Sequence, residues 1–257
     1  MRKVIGLTGP SSFTSECIDM IEDYLDCNFV LLYHNKTENL SDWMGKVDGV
    51  ILAGGVDIHP SVYGESIWTG QNLSKFDIRR DVRELQVIRH CLTNDVPLLG
   101  ICRGHQLLGC YFNLGFIMDI SESDYCHNPM KQNISISPKD PAHSIELLDR
   151  EYFQKEYNCP LDVAERKVFN KTMNKTESKI WVNSFHHQAI PYRRNMNYQQ
   201  EKINVFGVAR VGMTQCTHII EAMDGKNWLS VQWHPEYDWA ENTVSRAILS
   251  KFKNMLR

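Results

Sequence analysis

Short, unbroken apolar runs alternate with longer amphipathic stretches through the first half of the chain. "KVIGL" stops just before Gly9-Pro10, and "NFVLLY", "DGVILAGG" and "VPLLGI" are runs of the same kind. Between them, "SSFTSECIDMIEDYL" spaces Cys17, Met20, Ile21 and Leu25 as a helix does, and "LSDWMGKV" reads as a short helix. "DIRRDVRELQVIRHCL" sets Ile78, Val82, Leu85, Ile88 and Leu92 on one helical face, and "HQLLGCYFNLG" is a further helix stopped near Gly115. Strands that are apolar on both faces, separated by amphipathic helices, predict an α/β fold. Each face of such a sheet must be covered, so the sheet is mostly parallel with helices on both sides.

From about Asp119 to Trp181 the rhythm changes. "KQNISIS", "HSIELL" and "KIWVN" alternate like antiparallel strands, with polar, helix-prone sequence between them and a helix near "LDREYFQKEY". This segment predicts an antiparallel extension of the sheet. "INVFGVARV", "HIIEAM" and "WLSVQW" then read as further strands, and "ENTVSRAILSKFKNML" as a closing amphipathic helix through Val244, Ile248, Phe252 and Leu256. No linker-like segment, low-complexity tract or internal repeat intervenes, so residues 1–257 read as a single domain.

Composition narrows the function classes. The 257 residues are 42% hydrophobic and 23% charged, with a formal net charge of −3 and no dominant Lys/Arg block. That argues against a nucleic-acid or anionic-membrane partner. No run approaches the roughly 20 apolar residues that span a bilayer, and "MRKVIGLTGPSS" has too short an apolar run for a signal peptide. The eight cysteines form no CxxC pair. Reduced thiols in a cytoplasmic protein are the expectation, with a small molecule as the partner. Nothing in the sequence sets an oligomeric state.

One cysteine stands apart. Gly100-Ile101-Cys102-Arg103-Gly104 has the G-x-nucleophile-x-G form of a sharp strand-to-helix turn, which projects the middle side chain from the carboxyl end of the sheet. There the thiol also meets a helix N-terminus, where free N–H groups favour a thiolate. A reactive cysteine needs a base, and the base an orienting group. "SVQWHPEYD" offers both: Pro235 biases His234 towards an extended or turn conformation, and Glu236 follows two residues on. Taken singly, a G-x-C-x-G is more often a buried structural cysteine, and an HPE a surface loop.

Together, "GICRGHQ" and "QWHPE" resemble the class I glutamine amidotransferases. "LAGGVDIHPSVYGE" (Leu52 to Glu65), "VNSFHHQAI" (Val182 to Ile190), "RRDVRE" and "PAHSIEL" resemble the γ-glutamyl-γ-aminobutyrate hydrolase branch of that superfamily. The resemblance implies a flavodoxin-like fold and a Cys-His-Glu triad. Cys102 is then the nucleophile, His234 the base and acid, and Glu236 the orienter. The backbone N–H groups of Arg103, Gly54 and Gly55 form an oxyanion hole. Gln106, Ser184, Phe185 and His186 hold the glutamyl group. The implied reaction cleaves a γ-glutamyl amide through a thioester, giving glutamate and a free amine with no cofactor and no metal. The alternative is a glutaminase subunit delivering ammonia to a separate synthetase. A non-catalytic module on the same fold is a third reading. Adjacent histidines in a strand point to opposite faces and chelate poorly as a pair, so His186-His187 reads as one packed ring and one at the pocket. Arg79, Arg80 and Asp81 open a helix, where charges usually form a solvated face, although the resemblance allows Arg80 or Asp81 to approach the pocket.

Overall fold

The computed structural model describes residues 1–9, 14–32, 42–43, 45–66, 76–120, 137–170, 175–198, 202–211 and 217–257. β1 (Val4–Thr8) leads into α1 (Ser15–Asp19), which continues as a π-helical turn over Met20–Tyr24. β2 (Asn28–Leu31), β3 (Gly49–Leu52), α2 (Ile78–Thr93), β4 (Leu98–Ile101) and α3 (Arg103–Tyr111) complete the first half. β5 (His143–Leu147), α4 (Arg150–Glu156), α5 (Leu161–Ala164), β6 (Glu165–Asn170) and β7 (Lys175–Val182) follow. The chain ends with β8 (Ile190–Tyr192), β9 (Asn204–Val211), β10 (Thr217–Asp224), β11 (Trp228–Val231), α6 (Pro235–Asp238) and α7 (Thr243–Met255).

All these strands join one sheet in the order β2-β1-β3-β4-β11-β10-β9-β5-β7-β6, with β8 paired to β10. The five strands from β2 to β11 are parallel. From β11 outwards every pairing is antiparallel. The expected α/β architecture, a mostly parallel core with an antiparallel extension, is therefore present. Strand periodicity builds both faces. Ile51, Leu99 and Ile101 bury against Met20 and Ile21 of the π-helical turn and against Ile248, Leu249 and Phe252 of α7, while Val50, Leu52 and Leu98 face Val87, Ile88, Leu107 and Leu108 of α2 and α3.

Two details differ from the sequence reading. Ile78 and Val82 are exposed, and α2 instead buries Arg80, Asp81, Glu84, Val87, Ile88 and Cys91. Its first turns face a polar interior, which apolar periodicity cannot signal. β6 forms from sequence read as polar and helix-prone; it lies at the sheet edge, where hydrogen bonding to β7 along its full length sets the conformation. Most of "KQNISIS" and part of "LSDWMGKV" lie outside the described residues.

Candidate active site

β4 enters the site buried at all four residues. Cys102 follows with φ 49° and ψ −100°, a left-handed conformation that costs a side-chain-bearing residue energy and marks a constrained turn. Its N–H donates to the Val231 carbonyl at 2.9 Å, and its carbonyl accepts from Gln106 N–H at 3.0 Å. Strand thus becomes helix within one residue, and the thiol sits at the N-cap of α3. The flanking glycines are required by backbone approach. A Cβ at Gly104 would lie 2.4 Å from the Leu52 carbonyl oxygen, and one at Gly100 would lie 2.9 Å from the Gly104 carbonyl carbon.

β11 lies beside β4 in parallel register, so residues just past its end reach the same edge. His234 Nδ1 is 2.7 Å from Glu236 Oε1. A carboxylate accepts, so Nδ1 carries the proton and Nε2 is left for the Cys102 thiol, with which the imidazole is hydrogen-bonded. Burial alone would push the His234 pKa down. The charges of Glu236 and Cys102 outweigh it and hold the imidazole well above its ordinary value. The backbone of His234 is clamped as well: Asn183 Oδ1 accepts from its N–H at 2.8 Å, and Asn183 Nδ2 donates to its carbonyl at 2.8 Å. Phe185 and Tyr237 set their rings 5.7 and 5.5 Å from the imidazole. Gln232 Nε2 lies 3.6 Å from Cys102 Sγ.

β3 supplies the third wall. A Cβ at Gly54 would come 2.9 Å from His234 Cε1 and 3.8 Å from Cys102 Cβ, so only glycine leaves room there. Arg80 Nη2 donates to the carbonyls of both Ala53 (2.9 Å) and Gly54 (3.0 Å). In trans peptides the N–H lies opposite the carbonyl, so the N–H groups of Gly54 and Gly55 point away from this guanidinium. Arg80 Nε also pairs with Glu84 Oε1 at 2.8 Å, and Thr8 Oγ1 donates to the same oxygen at 2.6 Å. Arg103, the residue after the nucleophile, is bound by Glu84 and Asp81, and Asp81 also accepts from His59 N–H at 3.0 Å. Burial would raise the Glu84 pKa, but the two guanidiniums hold it below its usual value. The expectation of a solvated charged face thus fails for Arg80 and Asp81, which together with Glu84 and Arg103 are buried in one ionic network.

The remaining sequence-selected residues divide. Gln106 Nε2 donates to the Gln188 carbonyl at 2.8 Å and lies 3.2 Å from Gln232 Oε1. Ser184 is buried and Phe185 half-buried beside the base. His186 and His187 diverge: His186 is buried towards His143 and Glu221, whereas His187 faces Asp57 at 3.1 Å and Asp119 at 3.8 Å. The sequence reading missed Asn183 and Gln232 as partners of the base and the thiol. Both sit inside the segments that carried the resemblance, yet their roles depend on contacts between distant segments.

The family model of peptidase C26 matches residues 5–236. A glutamine amidotransferase-like protein of Lactococcus lactis, YvdE, is 30% identical over 92% of this chain and 86% of its own length. The γ-glutamyl-CDP-amidate hydrolase of Campylobacter jejuni is 41% identical over a shorter stretch, 34% of this chain and 38% of that protein. Among solved structures, a glutamine amidotransferase from Methylobacillus flagellatus has a TM-score of 0.55 at 12% identity, covering 100% of this chain and 96% of that one.

Proposed function

The chain belongs to the peptidase C26 family of class I glutamine amidotransferase-like proteins, and from that premise we propose that it hydrolyses a γ-glutamyl amide with Cys102, His234 and Glu236 as its triad. The observation that carries the reading is geometric: Cys102 stands at the strained turn from β4 into α3, and His234, just past the neighbouring β11, sets its Nδ1 2.7 Å from Glu236 Oε1. One proton is held between His234 and Cys102 before substrate arrives, and the imidazole carries it as the sulfur attacks. Cys102 Sγ attacks the γ-carbonyl carbon. The oxygen takes the charge and meets the N–H of Arg103 and those of Gly54 and Gly55, donors fixed beforehand by the helix start and by Arg80. The His234 imidazolium gives its Nε2 proton to the leaving nitrogen, the C–N bond breaks, and a γ-glutamyl thioester remains. Neutral His234 then takes a proton from water. The resulting hydroxide attacks the thioester and releases glutamate, and the proton on His234 is shared again with the freed Cys102 sulfur. Gln106, Ser184 and Phe185 hold the glutamyl end; His186, expected from the resemblance to join them, turns instead towards Glu221. γ-Glutamyl amide hydrolysis is also the activity named for the Campylobacter jejuni relative.

A panel of γ-glutamyl amides, read by glutamate release, tests this. Release from at least one amide by the isolated chain, abolished in folded Cys102→Ala, is expected. Losing an activated nucleophile costs on the order of a millionfold in turnover in the best-studied triads. Release from glutamine alone, and only when a second protein is added, would favour the ammonia-delivering reading. Undiminished turnover in Cys102→Ala would end both.

A further inference from the structure

Beside the triad wall lies a second cluster that the hydrolysis does not use. His143 on β5, Glu221 on β10 and His186 in the loop after β7 are all buried. Each offers one ligand atom, and the three atoms lie within 4.8 Å of one another. His143 Nε2 and His186 Nε2 are each 3.7 Å from Glu221 Oε1. We propose that His143, His186 and Glu221 form a binding site for a zinc ion.

Three observations support the assignment. First, His186 Nδ1 is 2.9 Å from the Gln188 carbonyl. A carbonyl only accepts, so Nδ1 bears the proton and Nε2 turns its lone pair towards the carboxylate. A carbonyl that orients a ligating imidazole in this way is the usual outer partner of a metal-bound histidine. Second, 3.7 Å exceeds the length of an N–H···O hydrogen bond. It is close to the edge of a tetrahedron of donors around zinc, about 3.4 Å when each bond is about 2.1 Å. Third, β10 skips Glu221 in its pairing with β9, going from Ile220↔Val208 to Ala222↔Gly207. A bulge re-aims the side chain it carries. Two imidazoles and one carboxylate suit zinc, with water at the fourth position. The ion would join β5, β10 and the 183–188 loop, whose first residue clamps His234.

The test uses the full chain, free of any tag, stripped with a chelator and then titrated with zinc chloride alone. Mass spectrometry of bound metal should give one equivalent. The melting temperature should rise and saturate at that ratio. X-ray absorption should report a shell of nitrogen and oxygen at about 2.0 Å with imidazole backscattering and no sulfur. His143→Gln and Glu221→Gln, verified as folded by circular dichroism, should lose both the equivalent and the thermal rise. Should a variant not fold, the absorption spectrum of the wild-type chain decides. No bound equivalent, a sulfur-containing shell, or unchanged binding in the folded variants would overturn the site.

Discussion

A thiolate, not a thiol, alkylates, and the chain carries eight cysteines. Burial pushes Cys91 and Cys110 up to about 12 and Cys159 up to about 11, and it also raises Cys17 and Cys27. Among the described cysteines, Cys102 is the one hydrogen-bonded to an imidazole that holds its proton. Limiting iodoacetamide near neutral pH should therefore modify Cys102 first among them, with activity falling in step and a γ-glutamyl amide protecting. Peptide mapping that ties inactivation to Cys17, Cys27, Cys91, Cys110 or Cys159 would reject this. The orienter makes a separate pH prediction. After burial, which acts downwards, the Glu236 charge is the largest influence on His234 and acts upwards. Glu236→Gln removes it, so the imidazolium is lost at lower pH. The alkaline limb of kcat/KM should shift downwards, and turnover should fall less than in His234→Ala; an unmoved limb would assign Glu236 another task. These three residues were legible because they lie in two short motifs, "GICRGHQ" and "QWHPE". Asn183 and Gln232 were not, since their partners lie 51 and 130 positions away along the chain.

At the scale of the element, α2 shows where sequence periodicity misleads. Ile78, Val82, Leu85, Ile88 and Leu92 do share a helical stripe, but the helix turns Arg80, Asp81 and Glu84 inwards at its first turns. Apolar patterning assumes an apolar interior. Here the interior is a guanidinium–carboxylate network linking β3 to the elbow, and no local signal distinguishes such charges from solvated ones. Glu84 is its hub, bonded to Arg80, Arg103 and Thr8. Glu84→Gln leaves two buried guanidiniums with too little negative charge. Removing one partner of a buried ion pair costs about 3–5 kcal/mol, so a loss of that order is expected in urea denaturation. Because Arg103 adjoins the nucleophile and Arg80 holds the Ala53 and Gly54 carbonyls, turnover of the folded fraction should fall as well. A stable Glu84→Gln protein with full activity would show that the network neither stabilises the fold nor positions the site.

Across the whole molecule, the parallel half was legible because its strands are apolar on both faces, whereas the outermost strand was not, because edge pairing rather than composition forms β6. Besides the Asn183 clamp on His234, Asn242 ties the triad segment to the antiparallel extension. Asn242 caps α7 by accepting from Val244 and Ser245 N–H, and its Nδ2 donates to Asp238 Oδ2 at 2.8 Å and to the Trp181 carbonyl at 3.3 Å. Asp238 belongs to α6, which carries Glu236, and it is buried. Burial pushes its pKa up to about 6, against about 3.9 in an unfolded chain. A raised carboxyl pKa means that the folded state binds the proton more tightly. Stability is then undiminished below pH 4, declines as pH rises from about 4 to about 6, and stays lower above it. Two pH units correspond to about 3 kcal/mol. Asp224 and Asp81 are raised too, so the wild-type profile alone does not isolate Asp238. Asp238→Asn keeps an oxygen to accept from Asn242 and removes the titration. Its stability should gain on the wild type by up to about 3 kcal/mol between pH 4 and pH 7, measured from denaturant midpoints at each pH. Parallel profiles for the two proteins would mean that Asp238 keeps an ordinary pKa and that the knot at Asn242 holds a charged carboxylate without cost.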